Sequence, residues 1–341
     1  MKSFKLIGFA LAAFSCVQFA TAQEAAAKTK LSAVVQLPGG KTEMIELERT
    51  DGDGSFFYTD KSTAQLMTAM ASTCKTFYIQ TPNDMANALR DFYGNELADA
   101  RKGFAAVKKK YAAFAGLPGS PSTMAALHEI TCAVRMLDFA GVQALAAAFP
   151  GEKALTGSDA ARLAAARVVA LITDKPDSFG AVKAAVEAIM KDKKVSRDLD
   201  SESYGWLRYA LGRAAAAMVP AEQLQATIAE DKAKAASVAV DFYCESVMSM
   251  HGSHKEMPAD ALNRALTLLW AMPGVKEYAG KVTLPMTKPA WNAAPADFRD
   301  AVAMAHYMKA MYPAPAEAPN ALVDKLDAYY FNMKKGSKSE K

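Results

Sequence analysis

Residues 97–114, LADARKGFAAVKKKYAAF, decide how most of this chain folds. Leu97, Ala100, Phe104, Val107, Tyr111 and Phe114 recur at alternating steps of three and four. That spacing lines apolar side chains along one face of a 3.6-residue helix. Arg101, Lys108, Lys109 and Lys110 fall mostly off the stripe, so one side is expected to be buried and the other solvated. Just upstream, Thr81-Pro82-Asn83-Asp84 is a helix start. Thr81 can cap, Pro82 suits the first helical position, and Asp84 suits the first turn. Met85, Leu89 and Phe92 then follow at helical spacing.

Nearer the N-terminus the period changes from 3.6 to two. Leu31, Ala33, Val35 and Leu37 alternate as in a half-buried strand, and Pro38-Gly39-Gly40 is turn chemistry. Ile45 and Leu47 lie opposite Glu46 and Glu48. Asp51-Gly52-Asp53-Gly54 is a second turn, followed by the aromatic strand Phe56-Phe57-Tyr58. The pattern predicts a small antiparallel β-meander, then a helix over about 62–73 and a fourth strand over 76–80.

After the linker Gly116-Leu117-Pro118-Gly119-Ser120-Pro121 the pattern is helical almost throughout. Helices are expected near 122–148, 158–173, 179–192, 201–219, 221–250, 258–272, 295–311 and 320–334. Phe179, Val182, Val186 and Ile189 share a face, as do Leu207, Leu211, Ala214 and Met218. Short connections between successive helices favour antiparallel pairs. The expected fold is mainly α: a helical-repeat-like array of antiparallel helix pairs preceded by a small α+β module with an antiparallel β-meander. The expected divisions are 1–22, 23–117, 118–312, and 313–341 as a C-terminal helix and basic tail. No strict repeat period is present, so the array rests on the succession of helices.

Residues 1–22 read as a cleavable export signal. Lys2 and Lys5 form the positive start, an apolar run follows, and Ala20-Thr21-Ala22 is an A-x-A cleavage site. The expected location is periplasmic or extracellular. Lipid attachment at Cys16 is the weaker reading, because Phe14 is bulky for a lipoprotein signal. The run is too short for a membrane span, and none is expected in the mature chain.

An apolar content of 51% supplies a core. The formal charge of +4 falls to about +2 once Lys2 and Lys5 are removed, which argues against nucleic acid as a partner. Beyond the signal only Cys74, Cys132 and Cys244 remain, without C-x-x-C spacing. One pair can form in an oxidising compartment, or all three can stay as buried thiols.

Candidate chemistry is sparse. His251 and His254 flank Gly252-Ser253 at an expected helix end and are the first metal-ligand candidates, with Cys244 two turns earlier. His128-Glu129-Ile130-Thr131-Cys132 resembles the zinc-protease motif H-E-x-x-H with Cys in place of the second His. It puts His128 and Cys132 on one helix face. The plainer reading of that helix is partial burial of Leu127, Ile130 and Cys132 with Glu129 solvated. Asp51-Gly52-Asp53-Gly54 opens like a calcium loop but has Phe56 where the loop needs Gly. There is no G-x-S-x-G, no P-loop and no G-x-G-x-x-G after a strand. No cofactor is expected, and the reading favours a non-enzymatic scaffold or binding module with a protein partner in the envelope or outside the cell. The alternatives are a metal-dependent enzyme using the His and Cys positions, or a glycan binder using Trp206, Trp270, Trp291 and the cluster Tyr329-Tyr330-Phe331.

Overall fold

The computed structural model describes residues 29–51, 53–60, 62–173, 175–313 and 320–330. It carries a five-stranded antiparallel sheet within residues 31–79, followed by fifteen α-helices among the described residues. The fold is mainly α with a small α+β module. The expected export signal, with Cys16, and the basic tail lie outside the described residues. No described helix is long and apolar enough to cross a membrane. Residues up to 133 form one compact unit with 144–160, and residues 134–143 form a second with 161 onward.

In the first unit the strands are β1 (Leu31–Gln36), β2 (Thr42–Thr50), β3 (Ser55–Thr59), β4 (Leu66–Met70) and β5 (Thr76–Ile79), in the order β4-β3-β2-β1-β5. Leu31 pairs with Leu47, and Ala33 pairs with both Ile45 and Ile79. Residues directly opposite one another share a face. The period-two residues therefore converge on one buried side, joined by Val35, Phe56 and Tyr58. Helices α1 (Asn83–Tyr93) and α2 (Leu97–Lys110) form an antiparallel hairpin, with Lys110 bonded to Asp84 at one end and Gly103 against Ala88 further along. Met85, Phe92, Phe104 and Val107 enter the sheet's core, which also takes in Leu117, Ala125 and Cys132. Each fully buried Phe or Leu there contributes about 2 kcal/mol relative to exposure.

The helix expected over 62–73 is not formed. Asp60 Oδ1 accepts from Ser62 N at 2.7 Å and Thr63 N at 3.0 Å, and Ala64 adopts a left-handed φ of 55°. This turn returns the chain along β3, so Leu66–Met70 pairs with Ser55–Thr59 as β4. Only a three-residue 3-10 turn, Ala71–Thr73, is helical in that stretch. The ladder offered by β3 overrides a local helical preference. The strand expected at 76–80 is β5, and it pairs with β1.

Further helices are α3 (Pro121–Arg135), α4 (Phe139–Ala147), α5 (Gly157–Val169), α6 (Ser178–Lys191), α7 (Lys193–Asp198), α8 (Ser201–Ala216), α9 (Ala221–Gln225), α10 (Glu230–Ser249), α11 (Glu256–Ala271), α12 (Val275–Lys281), α13 (Lys288–Ala293), α14 (Ala296–Met311) and α15 (Ala321–Asp327). The stretch 122–148 is two helices, because Leu137 takes a left-handed φ of 60° and Asp138 Oδ1 accepts from Gly141 N to start α4. The stretch 221–250 also breaks, where Ile228 N donates to the Ala271 carbonyl at 2.8 Å.

In the second unit α6 packs on α8, α8 on α10, α10 on α11, α11 on α14 and α14 on α15. The α8–α10 pair is antiparallel: Gly205 meets Met250 and Gly212 meets the Tyr243 ring. A Cβ at Gly212 would stand 2.8 Å from that ring, and one at Gly205 would stand 2.4 Å from Met250 Cγ. Glycine at these two positions sets the closeness of the pair.

Candidate functional site

The sheet ends in a concavity at its β1–β2 hairpin. Val35, Leu37 and Ile45 form apolar wall, and Lys41, Glu43, Tyr58 and Asp60 supply the polar groups around a cavity of about 160 Å³. The sequence places them there directly. Glu43 pairs with Val35, so it shares the inner face of the sheet near its end. Tyr58 pairs with Leu47 on the same face, and Asp60 follows two residues later.

Tyr58 is only 6% exposed. Burial pushes the phenol above its ordinary value, and the carboxylates of Asp60 and Glu43 push the same way. Asp60 is held below the usual carboxylate range by bonds from Ser62 and Thr63, so it is ionised at neutral pH. Those bonds engage Oδ1 alone. Neither Glu43 nor Lys41 has an ion pair among the described residues. The arrangement is a small, part-apolar recess with uncommitted anionic groups and a phenol.

Several polar groups buried in the second unit pair with one another. Arg135 binds Glu202 in a bidentate pair at 2.8 and 2.9 Å, with both side chains close to nine-tenths buried. The His254 side chain is fully buried, with Nε2 3.6 Å from Glu202 Oε1 and no hydrogen bond to either ring nitrogen among the described residues. Burial holds this imidazole below its ordinary value. Arg135 acts in the same direction, while Glu202 and Glu256 oppose it. Further along α8, Tyr209 donates to Asp260 at 2.5 Å and Arg264 donates to the same carboxylate oxygen at 2.6 Å. These groups fasten α8 to its neighbours.

His251 is exposed, its Nδ1 3.4 Å from the Tyr307 hydroxyl, while His254, three residues on, is in the core. Cys244 is half-buried. Burial together with Asp241, Asp300 and Glu245 raises its thiol, which keeps it protonated rather than a thiolate ligand. His128 stacks on Phe104, with centroids 5.0 Å apart, and meets Phe92 edge-on. Cys132 lies fully buried in that same core, and Glu129 pairs with Lys108 at 2.5 Å. Among the described residues no three His, Cys, Asp or Glu side chains gather as a metal site. Trp206 is wholly buried, while Trp270 and Trp291 are half-buried, with Lys325 4.6 Å over the Trp270 ring.

Sequence reasoning passed over Glu43, Tyr58 and Asp60. The available signal was a carboxylate at Glu43 where the alternation of β2 predicts the apolar side. No family model matches the chain, and neither a curated protein nor a solved structure matches it.

Proposed function

We propose that this chain is an exported, non-enzymatic scaffold that binds a protein partner in the envelope or outside the cell. The observation that carries the reading is the edge strand β4. It ends the sheet, Leu66, Met67 and Met70 are 54%, 41% and 40% exposed, and no charged residue or proline occurs from Leu66 to Met70. Edge strands are ordinarily blunted by charge, proline or a cover, because their free N–H and C=O groups template another strand. An uncharged, exposed edge suits an extended segment of a partner that adds a strand. The succession of paired helices in the second unit supports a scaffold role, by architecture alone.

The test is affinity capture from the native envelope with the mature chain and with Thr68→Lys. Thr68 is exposed on β4. A protein retained by the parent and lost with the variant is the expected result. Equal retention by both, or no retained protein, defeats the proposal.

A further inference from the structure

We propose that the turn joining α10 to α11, from Met250 to Lys255, is released by acid, and that the buried His254 side chain is the group that holds it shut. Two side chains anchor this turn in the core. Met250 is fully buried against Gly205 of α8, and the His254 side chain is fully buried four residues later. Between them His251, Gly252 and Ser253 are exposed, and Gly252 takes a left-handed φ of 82° in open space. Ser253 closes the turn by donating to the Met250 carbonyl from its N at 3.0 Å and from its Oγ at 2.7 Å.

Neutral His254 suits this site and protonated His254 does not. Neither ring nitrogen has a hydrogen bond among the described residues. Protonation makes both nitrogens donors and adds a charge, and a buried charge is tolerated only when it is paired. Three charged groups face the ring: Glu202 from α8, Arg135 from the end of α3 and Glu256 from the start of α11. The acceptor beside Nε2 is Glu202 Oε1 at 3.6 Å, and it is already engaged. Arg135 donates to both oxygens of that carboxylate, at 2.8 and 2.9 Å. An imidazolium in place would share the carboxylate while facing the guanidinium, whereas in solvent it meets neither constraint. Burial is the largest influence on the ring and disfavours the charged form; Glu202 and Glu256 favour it, and Arg135 disfavours it. Once released, His254 titrates near the ordinary value of about 6.5, and while held it titrates lower. The closed turn is therefore favoured above that pH. The open population climbs as pH falls below it, by at most about tenfold per unit for one proton.

The experiment follows hydrogen exchange of the mature chain by mass spectrometry from pH 7.5 to 5, with rates corrected for the intrinsic pH dependence of amide exchange. Peptides covering 250–255 should open increasingly below about pH 6.5, by up to about tenfold per unit, while those of α8 and of the first unit stay protected. His254→Gln should abolish the dependence, and His251→Gln, at the exposed neighbour, should keep it. A turn equally protected across the range would overturn the proposal. So would opening that spreads evenly over the second unit, or the same dependence in His254→Gln. If that variant does not fold, the parent decides by NMR of the ring resonances. The His254 imidazole should titrate below about 6.5, with amides of 250–255 shifting at the same midpoint. A midpoint at or above that value, or titration without those shifts, would overturn the proposal.

Discussion

In α2 the buried residues are Leu97, Ala100, Phe104 and Val107; in α8 they include Glu202, Ser203 and Arg213 beside Trp206, Tyr209 and two glycines. Both helices are held by burial, but burial asks different things of them. The α2 face is non-directional: its partners need the right volume and nothing else. The α8 face carries charges that tolerate burial only when each meets its own partner in the right geometry. The first unit thus keeps uncommitted polar groups at its surface, around the hairpin concavity. The second pairs its buried Arg135 with Glu202 and its Tyr209 with Asp260.

The largest test of that contrast is Glu202→Ala. It removes the bidentate carboxylate from the Arg135 guanidinium, whose side chain is only 11% exposed, and should cost about 3–5 kcal/mol by urea unfolding. Replacing the pair together, Arg135→Met with Glu202→Leu, should recover most of that. A loss below about 1 kcal/mol for Glu202→Ala would break the comparison, since α8 would then behave like α2.

Gly212→Ala comes next, at about 1–3 kcal/mol, because the added methyl meets the Tyr243 ring rather than a flexible chain end. A neutral result would mean that the α8–α10 spacing is slack.

A smaller effect is expected from pH. His254 is held below its unfolded value of about 6.5. Its contribution to stability is therefore complete above that pH and is lost as pH falls through the folded-state value. The slope is at most about 1.4 kcal/mol per pH unit for one proton. His254→Gln should flatten urea midpoints measured between pH 6.5 and 5, and an unchanged slope would assign the dependence to other groups.

The least is expected of Gly180→Ala in α6. Open space surrounds that position, so replacing a helical glycine should gain about 0.5–1 kcal/mol. A loss instead would reveal packing on that face, sharpening the account of α6.

The α2 stripe and the β1 alternation were legible because both depend only on local period and hydropathy. The helix expected at 62–73 failed for a non-local reason: β3 had an open edge, and Asp60 with a left-handed Ala64 turned the chain onto it. Leu137 hid a second break, since nothing in a leucine advertises a positive φ. The buried pair was hidden too. Glu202 within a helical pattern looks solvated until its partner, 67 residues earlier, is known. At the concavity, Glu43 is visible as a departure from the alternation of β2. The burial of Tyr58 beside it is not visible, because it depends on the pairing of β3 with β2.

The alternation of the two units along the chain bears on inheritance. Residues 134–143 count with the later unit and 144–160 with the earlier one. One recombination breakpoint cannot therefore transplant either unit whole. A crossover at 133 leaves the first unit without 144–160, and one at 160 strips the second of Arg135, the counter-charge of Glu202. A chimera that keeps both units intact needs at least two junctions, one on each side of 134–160.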